Sequence, residues 1–299
     1  MRVRTSVILA AAMMIAASVP ARAQQAYPPP EAAVKDLVDS AKEKTPGFGD
    51  RILGKDGAAL LRSGDAALDA QNLDTFNAAA AESTAIDDGP DGTKILRVGK
   101  NGWTLPLPLV KTAAGWTFDP VRGKEEMADR RVGFNELSAI AACRAYVEAQ
   151  NEYYRLDPEA LGFREYASRI VSTSGKRDGL YWPPENQSDL SPLDGFAEDA
   201  NLTKRTGAKP EPYNGYYFRI LTAQGPAAPG GPHSYLINGH MIAGHALLAW
   251  PAAYGDTGVK TFICGQDGTV YQKDLGPSTA TIASGMTQYN PDSTWTRAE

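Results

Sequence analysis

The sequence predicts an α+β protein built from two modules. Three observations lead to this class. Apolar residues first recur at helical spacing, then alternate at strand spacing, and the same order returns later with a longer helix and a second run of short strands. Helices followed by antiparallel strands are typical of an α+β layer. The predicted organisation is a signal peptide at 1–23, a module of helices and a β-meander at 24–122, and a spine helix packed on an antiparallel sheet at 123–299.

Composition and charge exclude several classes. The chain has 299 residues, of which 42% are hydrophobic and 22% charged, so it is not collagen-like, disordered or a polytopic membrane protein. The formal net charge is −5, and the sequence has no block of five basic residues. A nucleic-acid partner is therefore not expected, because phosphate binding needs a clustered positive surface.

The N-terminus has the three parts of a secretory signal. Arg2 and Arg4 precede an apolar run at 7–17, and a small-residue site, Ala-Arg-Ala, follows at 21–23. The run is too short to span a bilayer. The sequence therefore predicts a periplasmic or secreted protein with no membrane insertion after cleavage. Removing three of the 30 basic residues leaves 27 against 35 acidic residues, a net charge of −8.

The predicted N-terminal module begins with a polar, extended leader at 24–30. Predicted helices follow near 31–41, 58–61 and 68–81, and predicted strands lie at 95–98, 103–111 and 115–119. Pro106 and Pro108 cannot donate ladder hydrogen bonds, so their strand should be an edge or be broken there. The two prolines have two interpretations: a stiff lip for a ligand, or an edge protected against aggregation.

The predicted spine helix runs from 123 to 154, and Gly133 is a candidate junction between two helices. A long loop at 181–212 follows. Further strands are predicted at 216–221, 235–237, 246–250, 259–264 and 269–273, with Asn238-Gly239 as a hairpin turn. If the sheet packs on the helix, Tyr216, Phe218 and Ile220 should face a helix stripe.

That predicted stripe contains Ile140, Ala141 and Val147. Alternation then turns Arg219 and Leu221 the other way. Arg219 is expected to be an ordinary surface residue. Leu221 would need cover from the long loop or from the N-terminal module.

Two cysteines, Cys143 and Cys264, have two interpretations. An oxidising compartment permits a disulfide between the helix and the sheet, worth roughly 4 kcal/mol in the chain-entropy model. The alternative is two buried thiols that pack as small hydrophobic side chains.

The sequence predicts no catalytic, cofactor-binding or metal site. It has none of the common nucleophile, phosphate-loop, dinucleotide or C-x-x-C patterns. His233, His240 and His245 lie close in sequence, but a zinc site needs three or four convergent ligands. The acidic segment 87–92 lacks the terminal Glu of a calcium loop, which favours a polar hairpin turn.

Several charged residues have structural and functional interpretations. Arg130, Arg131 and Glu136 are expected on a solvated face or in an ion pair between helices rather than at a ligand. Arg177 and Asp178, beside the long loop, are candidates for a recognition surface. If the protein is an unrecognised enzyme, Asp178 or Glu136 would supply its carboxylate.

Several segments together resemble one family. They are Arg130-Arg131, Asn135-Glu136-Leu137, Cys143-Arg144-Ala145-Tyr146-Val147, the stretch 174–183, the stretch 215–225, Trp250-Pro251-Ala252-Ala253-Tyr254-Gly255 and Lys273-Asp274-Leu275-Gly276. The mature chain resembles a family of secreted bacterial proteins catalogued as domain of unknown function 2950. The resemblance brings no catalytic assignment. It implies neither a metal role nor a disulfide, since His240, His245 and Cys264 depart from the residue types expected there.

A weaker resemblance concerns shape. The helix segment 139–146, Gly162-Phe163 and the strand segments beginning at 215, 249, 258 and 267 are similar to the heads of type IV pilin and pseudopilin-like proteins, which pack a spine helix on an antiparallel sheet. The apolar N-terminal polymerisation segment of those proteins is missing. The N-terminal module resembles a cystatin-like or nuclear-transport-factor-like fold in element order alone.

Three functions follow as hypotheses. The first is a non-catalytic cell-envelope protein that binds or scaffolds a protein partner. The second is a small-ligand-binding protein, with Trp103 and Trp116 lining a cavity in the N-terminal module. The third is an unrecognised hydrolase.

Export is directly testable. We expect cleavage after Ala23, because the basic residues, the apolar run and the Ala-Arg-Ala site together form the three parts of a secretory signal. The intact mass of the exported protein should correspond to a chain beginning at Gln24. A mature chain that retains Met1 would contradict the prediction.

Overall fold

The computed structural model describes residues 24–186, 188–196 and 211–298. It contains helices and antiparallel sheets, which confirms the α+β class. The chain forms two compact units, Met1–Met127 (unit 1) and Ala128–Glu299 (unit 2). The predicted boundary between the two modules, at 122 and 123, stays a prediction. The predicted signal peptide and part of the predicted long loop lie outside the described residues.

Unit 1 has four helices before its sheet: α1 Pro30–Lys42, α2 Phe48–Ile52, α3 Gly54–Leu60 and α4 Ala66–Glu82. Its strands are β1 Thr84–Asp88, β2 Lys94–Val98, β3 Trp103–Thr104, β4 Leu109–Thr112 and β5 Gly115–Phe118, with a 3-10 turn at Pro90–Gly92. The strands pair antiparallel in the order β1-β2-β4-β5, and β3 also pairs with β2. The predicted helices and meander are therefore present. Of the acidic segment 87–92, the first two residues end β1 and the rest forms the turn of the β1–β2 hairpin.

The predicted strand 103–111 is broken into β3 and β4, and the sequence predicts a break there. β3 and β4 both pair with β2, and Pro106 and Pro108 lie between them. Leu105, Leu107 and Leu109 are buried in the unit 1 core. Pro106 is buried as well, so it does not project as the stiff lip considered above.

The leader at 24–30 is part of the fold rather than a free extension. Tyr27 exchanges two backbone hydrogen bonds with Trp116 of β5, at 2.9 and 2.7 Å. The Tyr27 hydroxyl donates to Asp36 at 2.6 Å, and Arg51 donates to both carboxylate oxygens of Asp36 at 2.6 and 2.8 Å. The Arg51 guanidinium holds the pKa of Asp36 well below its usual range. This network ties the leader, α1 and α2 together.

Unit 2 contains most of helix α5 Pro120–Leu156 and a short helix, α6 Thr279–Gly285. Its first strands are β6 Arg169–Val171, β7 Gly179–Tyr181, β8 Tyr216–Leu221, β9 Ala223–Gln224, β10 His233–Ser234, β11 Leu236–Ile237 and β12 His240–Met241, with a 3-10 turn at Asp194–Phe196. The rest are β13 Ala246–Pro251, β14 Lys260–Gly265, β15 Val270–Asp274, β16 Gln288–Tyr289 and β17 Thr296–Arg297. Asn238 and Gly239 both have positive φ, so the predicted hairpin turn is present.

Helix α5 is continuous through Gly133, so the predicted junction between two helices is wrong. Gly133 is exposed, and a Cβ there would contact nothing within 4 Å. No neighbouring group in the described ranges therefore packs against this position and requires the helix to bend.

The main sheet of unit 2 is antiparallel, in the order β17-β15-β14-β13-β8. One face packs on α5: Tyr216, Phe218 and Ile220 share a cluster with Ile140 and Val147, as predicted. Ala141, however, is exposed, since the buried stripe of α5 passes through Ala139 and Cys143 instead.

The opposite face of the sheet is also buried. Leu221, Leu248 and Ile263 pack there with residues from two later segments, 228–241 and 283–295. The described cover for Leu221 therefore comes from these segments of unit 2, so the main sheet is buried on both faces.

Arg219 lies on this second face and is not an ordinary surface residue. Its guanidinium donates to the carbonyls of Ser284 at 3.0 Å and Ala283 at 2.6 Å, and also to that of Met286. It lies 5.5 Å from the centre of the Trp250 ring. These carbonyls belong to the C-terminal end of α6, where a positive charge is favourable. Arg219 therefore fastens α6 to the sheet.

We expect Arg219→Ala to lower the free energy of unfolding by about 2 kcal/mol, because charge-assisted hydrogen bonds to three carbonyls are lost. Phe218→Ala should cost about 3 kcal/mol through lost packing against α5. Chemical denaturation measures both, with the exposed Arg297→Ala as the matched control. A loss below about 0.5 kcal/mol for Arg219→Ala would restore the surface interpretation.

The second prediction concerns the Asp36 network. Asp36→Asn should lower the free energy of unfolding at neutral pH by about 2 kcal/mol, since it removes a bidentate ion pair. The pKa of Asp36 is lowered in the folded state, so its contribution is present above the unfolded pKa of about 4 and declines as the pH falls below it.

Denaturation at pH 7 and at successively lower pH measures this difference. The exposed Asp39, whose ion pair among the described residues is with Lys35 one helical turn away, provides the control Asp39→Asn, with little expected effect. A difference between wild type and Asp36→Asn that stays constant as the pH falls would contradict the assignment.

Candidate functional site

A cavity of about 820 Å³ lies in unit 1. Helix α4 forms one wall, and the opposite wall comes from α1, the α2–α3 segment and the turn between β2 and β3. We call it the α4 cavity. Its buried apolar wall consists of Leu37, Ala41, Leu53, Ala58, Val98 and Leu105. Its volume falls within the range of sites that bind small molecules, roughly 300–1,000 Å³.

The composition of α4 explains why a cavity exists. Among the 17 residues of the helix, only Ala80 is buried. Alanine side chains are too short to fill the space between a helix and a sheet, and the larger Leu73 and Phe76, which line the cavity, stay partly exposed. The helix therefore covers apolar residues without closing on them.

Side-chain hydrogen bonds are present near both ends of α4. At its start, Asp65 caps the helix by accepting from the backbone N–H of Ala67 at 2.8 Å and of Leu68 at 3.3 Å. Near its end, the Asn77 amide donates to the carbonyl of Ala41 in α1 at 3.1 Å. Several residues from Asp69 to Glu82 of this helix line the cavity.

The turn between β2 and β3 forms the rim. Gly99 has φ of 71°, and a Cβ there would approach the Ala79 side chain to 3.2 Å, so glycine allows both the turn and the close helix. Trp103 follows the turn and is 47% exposed. Its ring meets that of Phe76 edge to face, with centres 6.4 Å apart. An exposed tryptophan beside an apolar cavity is a typical ligand-contacting group.

Of the two tryptophans that the sequence predicts for this site, only Trp103 lines the cavity. Trp116 packs against the unit 1 core beside the leader. Neither Pro106 nor Pro108 lines it, so the ligand-lip interpretation has no support here. Leu73 and Phe76 were missed, because the alanine-rich pattern of α4 gives little sign of which face is apolar.

The three histidines do not converge. Within the described ranges, no three His, Cys, Asp or Glu side chains lie together as a metal site would require. His233 bonds to the carbonyls of Gly231 and Ala243, and His240 lies 3.0 Å from the Glu165 carboxylate.

His245 is fully buried, and neither ring nitrogen has a hydrogen-bond partner among the residues that the structure describes. Burial lowers the pKa of His245 to about 4, so the imidazole is neutral near pH 7. Its ring packs between those of Tyr146 and Tyr166, with centres 5.4 and 4.6 Å away. His245 therefore serves the described structure as an aromatic core residue.

The carboxylates suggested for an enzyme are both engaged within the fold. Glu136 accepts from the backbone N–H of Val259 at 2.8 Å and of Lys260 at 2.9 Å. Asp178 accepts from the N–H and hydroxyl of Thr173, at 2.7 and 2.8 Å, and pairs with Arg169. These bonds join α5 to β14 and close the turn before β7.

A further acidic pair lies after α5. Glu159 is close to Glu165, and burial together with that neighbouring carboxylate raises the pKa of Glu159. Glu165 in turn contacts His240. The pattern of single acidic residues in this segment did not indicate the pair. Neither Glu159 nor Glu165 lines the α4 cavity.

The other candidates have structural roles. Arg131 pairs with Asp256, in agreement with the ion-pair interpretation, although Asp256 lies in a loop rather than in a second helix. Arg177 pairs with Asp189 at 2.8 Å and lies over the ring of Trp182, which is buried. The rest of the predicted recognition loop, 197–210, lies outside the described residues.

Cys143 and Cys264 are both free and buried. Burial and the neighbouring Cys143 thiol raise the pKa of Cys264 well above its ordinary value, so the thiol is protonated and unreactive. The structure therefore has two packed thiols at these positions and no disulfide between them.

Comparison with known proteins places the chain in a family. A family model described as protein of unknown function (DUF2950) matches residues 24–298. The chain belongs to this family. No curated protein and no solved structure matches it, so the likeness to pilin heads has no support beyond the arrangement of α5 on its sheet. None of the described helices is both long and apolar enough to cross a membrane.

Proposed function

We propose that this member of the DUF2950 family is an exported, non-catalytic binding protein that holds a small apolar ligand in the α4 cavity. The observation that carries the proposal is the cavity itself. It combines a ligand-sized volume, a buried apolar wall and a half-exposed tryptophan at its rim.

Energetics favour an occupant for such a site. A cavity beneath a helix costs stability, because the side chains that line it lose packing contacts. Water is a poor substitute at Leu53, Val98 and Leu105, which offer no hydrogen-bond partner. An apolar ligand would restore packing contacts and remove apolar surface from water, at about 0.8 kcal/mol for each buried CH₂ group.

Two observations support the non-catalytic part of the proposal. No histidine, cysteine or serine is among the residues that line the cavity, so it holds no Ser–His or Cys–His pair, although Asp69, Glu82 and Lys100 are present. Glu136 and Asp178 already accept hydrogen bonds that hold unit 2 together. An unrecognised hydrolase is the alternative, and a broad hydrolase panel is its test.

The signal pattern at 1–23 supports export, and the family match begins at residue 24, where the predicted mature chain starts. A protein partner in the cell envelope is a further proposal. Crosslinking in intact cells, followed by identification of the captured protein, tests it.

Ligand binding is tested with a series of straight-chain alkanols. In wild type, each added CH₂ should lower the Kd about fourfold until the cavity is full, since each contributes about 0.8 kcal/mol. Leu73→Trp places a large ring in the cavity and should weaken binding at least tenfold. Isothermal titration calorimetry measures both effects.

The matched control is Leu68→Trp. Leu68 lies on the same helix, is 45% exposed and does not line the cavity. This variant should bind like wild type, and thermal unfolding of both variants checks that the fold is intact. Equal affinity in the two variants, or a Kd independent of chain length, would exclude the cavity as the binding site.

A further inference from the structure

We propose that the ligand of the α4 cavity is a single-chain amphiphile with an anionic head group, its alkyl chain inside the cavity and its head bound by Lys100. This inference rests on the proposed function and specifies the ligand class. It is carried by the polar groups of the cavity lining, which includes four charged residues: Arg62, Asp69, Glu82 and Lys100.

Three of these four charges already have partners. Arg62 donates to Asp50 at 2.7 Å. Asp69 accepts from both the N–H and the hydroxyl of Ser63, each at 2.7 Å. Glu82 accepts from the backbone N–H of residue 100 at 3.4 Å.

The Lys100 ammonium is different. Within the part of the chain that the structure describes, it forms no hydrogen bond and no ion pair. It is exposed, on the turn between β2 and β3, directly after Gly99 and before Asn101. A lysine ammonium has three donors, and the Asn101 amide, which also lines the cavity, adds more. The rim therefore offers unused donors to an anion.

The rest of the cavity determines the other end of the ligand. Its inner wall, with Leu37, Ala41 and Leu53, is apolar and buried, so a second charged group there would be desolvated without a partner. A head at the rim and a hydrocarbon chain inside satisfy both regions. Trp103, at the same rim, can lie against the first carbons of the chain.

Glu82 supplies the competing ligand class. Its carboxylate is on the same rim, and one long hydrogen bond leaves most of its acceptor capacity open. A cationic amphiphile would bind there. The anion is favoured because Asp69 is satisfied by Ser63 and Glu82 is partly satisfied by the Lys100 backbone, whereas the Lys100 ammonium donates to no described group.

The experiment compares three probes of equal chain length by isothermal titration calorimetry at low ionic strength: dodecanoate, 1-dodecanol and dodecyltrimethylammonium, each below its micelle concentration. Wild type should bind dodecanoate about fivefold more tightly than dodecanol, the upper end for an exposed ion pair. High salt should reduce this preference, since exposed charges are screened.

Lys100→Gln should abolish the preference for dodecanoate and leave dodecanol affinity unchanged, whereas Lys100→Arg should retain it. Lys111→Gln is the matched control, since Lys111 is an exposed lysine on β4 that does not line the cavity.

The outcomes separate the two proposals. If dodecanol and dodecanoate bind wild type equally and Leu73→Trp blocks both, the head-group assignment is overturned and the proposed function stands. A preference for dodecyltrimethylammonium would mean that Glu82 binds a cationic head group, and it would also overturn the head-group assignment. If none of the three probes binds, both proposals fail.

Discussion

The distance that short side chains leave between helix α4 and the rest of unit 1 is the constraint on which the candidate site depends. A helix normally packs by placing large apolar residues against its neighbours. In α4 only Ala80 is buried, and the larger Leu73 and Phe76 remain partly exposed over the cavity. Besides Ala80, the partly exposed Phe76 and Ala79 contact the core, and the Asn77 amide bonds to α1. The helix is thus attached through few large side chains, and a ligand-sized volume remains beside it.

In unit 2, the main sheet is apolar on both faces. Its strands β13 and β14 alternate between two apolar faces, with Leu247 and Phe262 toward α5 and Leu248 and Ile263 on the other side. A sheet with two apolar faces needs two covers. Helix α5 supplies one, and later segments of the same unit supply the second. Unit 2 therefore has an apolar core on each side of its main sheet.

Much of the fold follows from local pattern. The spacing of apolar residues predicts α1 and the main strands, the prolines predict the break between β3 and β4, and Asn238-Gly239 predicts its hairpin. The misses have physical causes. Helix α6 is a Thr- and Ser-rich segment with little helical periodicity, and its carbonyls are held by Arg219 from a strand distant in sequence.

Strand β1 was missed for a different reason. Asp87 and Asp88 are typical of turns, but in the structure they pair with Arg97 and Lys94 on the neighbouring strand. The candidate site was predictable only in part. Trp103 stands out as an aromatic residue near a turn, whereas an unfilled volume depends on how far apart two distant segments lie, and no local pattern encodes that distance.

The weak burial of α4 has a consequence for the lifetime of the protein. A helix that buries one residue detaches from its unit more often than core helices do, and the detached segment is accessible to proteases. A molecule that binds only the closed form reduces the detached population by the factor 1 + [L]/Kd. If the protein binds a ligand as proposed, occupied chains would resist proteolysis longer than empty ones, and the abundance of the protein would follow the supply of that ligand.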